Sequence, residues 1–254
     1  MLIDSHAHIY KEYYNDINEI VKGAKKNNVL KIINCATSID NIEEVISVSH
    51  EHNFYYALGI HPEDVESFND DVKIKLEEHI INNLNDKSFV AIGEIGLDYY
   101  YGKDNKEKQK DLFEYQVSLA EMYNKPVIIH SREATLDTIN ILKKYKVKGV
   151  IHCFSGSYET ACEYIKMGYM LGIGGLVTFK NCNLKNYINK IGIENIVLET
   201  DSPYMTPEPY RGKTNEPKYV FEVAKFLSKL FDISVEKIGE KTTKNCYKIF
   251  DIEE

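Results

Sequence analysis

The residues in this chain best suited to chemistry are histidines and carboxylates placed at the ends of apolar runs. His6 and His8 follow the first run, Leu2–Ile3, in the string Asp-Ser-His-Ala-His. Two residues apart on a strand, both imidazoles face the same side. Eight histidines in 254 positions would give an H-x-H string about 0.25 times by chance. Two occur. The second, His50-Glu51-His52, ends a helical pattern, where side chains two apart diverge, so it reads as solvated surface. Glu94, His130, His152 and Asp201 sit at the C-terminal ends of later apolar runs. Neutral imidazoles and carboxylates together hold divalent cations, and one carboxylate can bridge two of them. Two cations about 4 Å apart can activate water and clamp the oxygens of a phosphoryl centre. Burying six such groups without partners would be costly, which weighs against a purely structural role.

The elements that must position these groups alternate. Eight β-like runs are rich in Ile, Val, Leu and Tyr: residues 2–3, 31–36, 54–60, 89–95, 126–130, 149–154, 169–173 and 196–200. Helical spacing falls between them. Ile17, Ile20, Val21 and Ala24 share a face, as do Leu112, Tyr115, Gln116, Leu119 and Met122, and Ile139, Leu142 and Tyr145. Further helices are expected from Ser38, over 159–167 and over 184–191. Strands alternating with helices imply crossover connections and a parallel sheet. About eight such units without a composition break predict one domain over residues 1–254, a closed (β/α)₈ barrel. An open doubly wound sheet is the rival. In a barrel, the carboxyl ends of all strands share one mouth, so all six groups would converge there. The tail, 217–250, reads as a long helix followed by a shorter one. Four of the six prolines lie between Pro203 and Pro217, marking a rigid loop.

Composition narrows the function classes. The 31 basic and 39 acidic residues leave a net charge of −8. That argues against a broad basic face for coating duplex DNA. It leaves room for a nuclease whose positive charge is local and supplied by metal ions. Five scattered cysteines with no C-x-x-C pair fit a reducing interior. With no signal pattern and no apolar run near the roughly 20 residues that span a bilayer, the expectation is a cytoplasmic protein with no membrane partner. Only Arg132 and Arg211 are arginines.

Read in order, the strings IDSHAH, GIHP, AIGEIGLDYY, PVIIHSREA, GVIHCFSGS, LGIGGLVTFK and ETDSPYMTPEPYRGKTNEP resemble the TatD family of metal-dependent deoxyribonucleases, within the amidohydrolase-like barrels. The resemblance spans residues 3 to 217. It implies that His6, His8 and Asp201 hold one ion, that His130 and His152 hold a second, and that Glu94 bridges them. It implies Mg²⁺ as the metal, although four imidazoles favour Zn²⁺, Mn²⁺ or Fe²⁺. It further implies cleavage of DNA phosphodiesters at exposed 3′ ends. A recessed mouth favours single-stranded or frayed ends over intact duplex, and Asp201 is expected to accept the proton of the attacking water. Relatives often carry His where this chain has Glu63, and Asp where it has Glu133. A metal-dependent ester or amide hydrolase, such as an aminoacyl-tRNA deacylase, is the alternative enzyme. A nucleic-acid-binding module with vestigial catalysis is the alternative from another class. Oligomeric state stays open, and a monomer is compatible.

Other residues support the site. His61, ahead of Pro62, reads as a phosphate contact or proton donor, or else as a loop cap. Arg132 and Arg211 offer planar forks suited to phosphate oxygens. Lys213 is a lesser candidate among many lysines. Asp98 would orient a ligand or a loop. Tyr99, Tyr100 and Tyr101 could stack on bases, but packing is the expectation. Cys35 and Cys153 are expected to pack inertly, with Cys153 facing the helices by alternation from His152. Gly172, Gly174 and Gly175 lack the G-x-x-x-x-G-K-[ST] form, so no nucleotide cofactor is expected.

Overall fold

The structure, a computed structural model, describes residues 1–101 and 104–252. In chain order the elements are β1 (Leu2–Ala7), α1 (Ile17–Lys26), β2 (Val29–Cys35), α2 (Ile42–His52) and β3 (Tyr55–Leu58). Next come α3 (Asp70–Asn83), β4 (Phe89–Asp98), α4 (Lys106–Met122), β5 (Val127–Arg132) and α5 (Thr135–Leu142). Then follow β6 (Gly149–Ile151), α6 (Tyr158–Lys166), β7 (Met170–Ile173), α7 (Ile188–Ile191), β8 (Ile196–Leu198), α8 (Val220–Phe231) and α9 (Val235–Phe250). All neighbouring strands pair in parallel, in the order β1 to β8. This is a single (β/α)₈ barrel, and the doubly wound alternative is excluded.

Local chemistry explains the elements. Asp16, Asn69, Ser157 and Ser234 each accept a backbone N–H from the first turn of α1, α3, α6 and α9, satisfying donors that a helix start leaves free. Strand residues that face inward form one apolar layer: Ile3, Ile33, Ala57, Val90, Ile128, Val150, Met170 and Val197. Cys246, Ile249 and Phe250 of α9 join that layer, so the barrel is filled with side chains.

Five expectations are corrected. The second helix begins at Ile42, because Asn41 Oδ1 accepts from the Thr37 and Ser38 amides and holds that stretch in a turn. α3 was not anticipated: only Val72, Leu76 and Ile80 are buried on a charged segment. Residues 184–191 split into a 3₁₀ turn, Leu184–Asn186, and the short α7. The tail's second helix is the longer, 16 residues against 12, after a break at left-handed Asp232. Met122 is exposed, since the buried stripe of α4 runs through Gln109, Leu112, Phe113, Gln116, Val117, Leu119 and Ala120. No helix among the described residues is long and apolar enough to cross a membrane.

Closure between β1 and β8 uses few ladder bonds and a buried carboxyl. His8 N donates to Ser202 O at 2.8 Å and Asp201 N to His6 O at 3.0 Å. Asp4, fully buried, accepts from Thr200 N at 2.9 Å and from Thr200 Oγ1 at 2.6 Å. The same seam therefore sets His6 and His8 beside Asp201. Replacing Asp4 with Ala strands the Thr200 donors and should cost about 1–3 kcal/mol of unfolding free energy. The midpoint of urea unfolding measures it; an unshifted midpoint removes Asp4 from the closure.

Candidate metal centre

At the C-terminal mouth of the barrel, five imidazoles and two carboxylates meet. Glu94, nearly fully buried within β4, is the hub. Its Oε2 lies 3.4 Å from both His6 Nε2 and His8 Nε2. Its Oε1 lies 2.8 Å from His152 Nε2, 3.1 Å from His130 Nδ1 and 3.5 Å from His61 Nε2. Asp201 Oδ1 is 3.7 Å from both His6 and His8. The structure thus brings together His6, His8, Glu94, His130, His152 and Asp201, with His61 beside them. Three subsets have mutually close donor atoms: His6, His152 and Asp201; His6, His8 and Glu94; His61, Glu94 and His130.

Backing groups decide which nitrogen of each ring is free. His8 Nδ1 lies 3.1 Å from the Cys35 carbonyl oxygen, so it carries the proton and Nε2 presents a lone pair. His130 Nε2 lies 3.1 Å from Asp98 Oδ2, leaving Nδ1 free. His152 Nδ1 faces Glu199 Oε1 at 3.7 Å, leaving Nε2 free. His6 Nδ1 rests on Cys35 Sγ at 3.5 Å. His6 Nε2 and His8 Nε2 are 3.1 Å apart, and His130 Nδ1 and His152 Nε2 are 3.2 Å apart. Lone pairs at that separation repel unless a proton or a cation lies between them. The donor set therefore fits divalent ions, with the distal nitrogens of His8 and His130 anchored by hydrogen bonds as metal-binding histidines require.

His61 differs. Its Nδ1 accepts from the Glu63 amide at 3.3 Å, which caps the turn Pro62–Ser67. The neutral ring then carries its proton on Nε2, aimed at Glu94. The capping role and a proton-donor role therefore coexist, and this tautomer is the wrong one for a ligand.

Electrostatics agree with a cluster that binds cations. Burial would raise Glu94, but His152, His61 and His6 hold it well below the usual carboxylate range. Burial pushes Asp201 up to about 6, against the pull of His152 and His8. Burial and His152 lower His6 to about 3. For His8, His130 and His152, burial lowers the pKa, yet Glu94 raises it overall, together with Asp201 and the Cys35 carbonyl at His8, Asp98 at His130 and Glu199 at His152.

The site opens into a cleft of about 960 Å³ lined by Tyr13, Glu63, Asp64, Tyr101, Arg132, Tyr204 and the cluster except the fully buried His6. Arg132 lies at the wall, with its guanidinium 4.0 Å from the Tyr100 ring centroid and 4.9 Å from that of Tyr101. Arg211 and Lys213 are exposed and outside that lining; Arg211 stacks 3.9 Å over Phe179. Tyr99 packs as expected, its hydroxyl donating to Asp137, whereas Tyr100 and Tyr101 are exposed. Cys153 lines the cleft rather than facing the helices. β6 ends at Ile151 and Cys153 takes φ 46°, so strand alternation no longer applies. His50 pairs with Asp86 at 2.6 Å on the surface.

Some functional residues escaped the sequence reading. Glu199, fully buried, backs His152 and accepts the Cys153 amide at 2.5 Å. A Cβ at Gly172 would come within 2.1 Å of its Oε2, so glycine is required there. Gln109, Gln116 and Asn34 pair through their carboxamides with both backbone groups of Asp98, Ile60 and Ile9, holding the mouth loops. The available signal was a polar residue on an apolar stripe: Gln116 sits among Leu112 and Leu119.

Comparison with known proteins follows this geometry. A family model described as "TatD related DNase" matches residues 3–251. The chain belongs to the TatD family. It is 39% identical to the metal-dependent hydrolase YabD of Bacillus subtilis, covering 99% of this chain and all of that one. A metal-dependent hydrolase of Buchnera aphidicola is 38% identical, covering 99% of each chain. The crystal structure of YjjV, a TatD homologue from Escherichia coli, superposes with TM-score 0.93 at 30% identity, covering 99% and 98%. This TatD-family chain is a metal-dependent hydrolase.

The raised pKa values of His8, His130, His152 and Asp201 set the sign of a pH effect. Each raised group stabilises the metal-free fold below its unfolded value and loses that contribution as pH rises through its folded value. A cation competes with the same protons. Added Mn²⁺ or Zn²⁺ should therefore raise the melting temperature more at about pH 7.5 than at about pH 5.5. An equal shift at both values would place the bound ion elsewhere.

Proposed function

We propose that the chain is a deoxyribonuclease with two divalent ions, removing nucleotides from the 3′ ends of single-stranded or frayed DNA. The observation that carries this reading is Glu94, whose two oxygens face two different sets of imidazoles. His6, His8 and Asp201 would hold one ion, His130 and His152 the other, with Glu94 between. Bound there, the ions would supply Lewis acidity to a phosphoryl oxygen and lower the pKa of water. Mg²⁺ is the family expectation, while the imidazole-rich donor set favours Zn²⁺, Mn²⁺ or Fe²⁺.

The chain's own groups do the rest. Asp201, whose carboxyl titrates near 6, is ionised at neutral pH and accepts the proton of the attacking water. His61 offers its Nε2 proton toward the leaving oxygen. Arg132 presents guanidinium donors to the non-bridging oxygens. Every group of the cluster comes from one chain, so a monomer suffices. All five cysteines are unpaired, which supports a reducing cytoplasmic setting.

Cleavage of end-labelled single-stranded DNA, with and without chelator, tests the proposal beside an aminoacyl-ester substrate. Chelator-sensitive loss of 3′ nucleotides is expected. Turnover of the ester alone would instead assign the site to ester or amide hydrolysis. Glu94→Ala should lose both ions by elemental analysis, and retention of two would refute the bridge. Asp201→Asn should slow kcat by roughly 10²–10⁴-fold with the fold kept. A near-normal kcat would remove Asp201 as the proton acceptor.

A further inference from the structure

Exposed aromatic rings are confined to one face of this molecule. Of 19 tyrosines, four are exposed: Tyr101 at 66%, Tyr204 at 49%, Tyr100 at 48% and Tyr158 at 36%. No phenylalanine is exposed, and the chain has no tryptophan. Tyr100 and Tyr101 follow β4, Tyr158 follows the loop from β6, and Tyr204 follows β8. All four therefore lie at the C-terminal mouth that carries the cluster. Exposed aliphatic side chains such as Leu30, Ile74, Ile81 and Met122 are scattered elsewhere and need no explanation.

Two of these tyrosines flank the cluster on opposite walls of the cleft. Tyr204 stands 6.3 Å, centroid to centroid, from the His8 ring, and its hydroxyl lies 2.9 Å from that of Tyr13. On the other wall, Tyr101 shares the Arg132 guanidinium with Tyr100, two residues beyond His130. Among the described residues of the cleft lining, Arg132 is the one arginine and there is no lysine, while Glu63 and Asp64 lie there. With a net charge of −8, the described side chains of the cleft offer phosphates one cation, Arg132, and ions held by the cluster would engage the scissile phosphate rather than its neighbours. Base faces are a further source of affinity, and every base has one.

We propose that Tyr204, braced by Tyr13, and Tyr101, braced by Arg132, form two stacking platforms for unpaired nucleobases on either side of the scissile phosphate. This rests on the nucleic-acid reading above and names the side chains that would select its single-stranded ends. Paired bases keep their faces covered by neighbours and cannot use the platforms. Affinity then depends on bases more than on phosphates, and salt affects it weakly.

The test measures binding of a 5′-fluorescein, phosphorothioate-linked oligothymidylate by anisotropy, with Mg²⁺ present, beside an abasic oligomer with the same backbone. Tyr101→Ala and Tyr204→Ala should each weaken binding of the oligothymidylate about 5- to 150-fold. Tyr101→Phe should restore it and Tyr204→Phe should restore most of it, the Tyr13 hydroxyl contact being lost, and none of the four should alter binding of the abasic oligomer. The slope of log K against log salt should be near −0.7, the value for about one phosphate neutralised on a single strand. Equal binding of the two oligomers, unchanged binding by the alanine variants, or a slope of several units would overturn the proposal. Binding and cleavage separate the two readings: DNA cleavage without base-dependent binding sinks the platforms alone. Base-dependent binding without cleavage sinks the nuclease alone.

Discussion

A buried carboxylate surrounded by inward-facing nitrogen lone pairs is the constraint on which the rest of this structure depends. Ionised Glu94 adds negative charge to that set, and two ring nitrogens about 3 Å apart need a proton or a cation between them. Every neighbouring feature makes sense as support for this arrangement. The Cys35 carbonyl and Asp98 hold the far nitrogens of His8 and His130, and Glu199 faces that of His152 at 3.7 Å, so these rings present their other nitrogens to the same small volume. Such backing trades fold stability for a poised binding site.

The barrel delivers that poise cheaply. β1 and β8 meet through Ala7, Ser202 and the Asp4–Thr200 contacts, and the same seam juxtaposes residues nearly 200 positions apart in sequence. Buried carboxamides substitute for missing strand partners where the mouth loops leave the sheet. The rim can therefore carry polar backbone without unpaired groups, and it can vary its side chains without disturbing the filled interior beneath. An acidic net charge and four exposed tyrosines at the mouth complete the picture.

Much was legible from sequence because two periodicities dominate this chain. Eight apolar runs of strand length, separated by helical stripes, leave little choice but a parallel barrel, and all eight strands form close to their expected positions. The six metal-type residues stood out because their type is wrong for strand ends that merely pack. Other features carried no local signature. α3 is nearly as polar as a loop. The turn at Asn41, the break at Asp232 and the left-handed Cys153 depend on contacts or backbone states that no spacing rule records.

The sequence by itself determined the fold class, the family and the convergence of four imidazoles with Glu94 and Asp201, since each follows from residue type at a fixed strand register. Tertiary structure alone decided which nitrogen each ring presents, that His61 caps a turn while keeping its proton on Nε2, and that Glu199 backs His152. It also decided that Arg132 reaches the cleft while Arg211 does not. These depend on groups brought together from distant strands and loops, and hydrogen-bond geometry between them exists only once the barrel has closed.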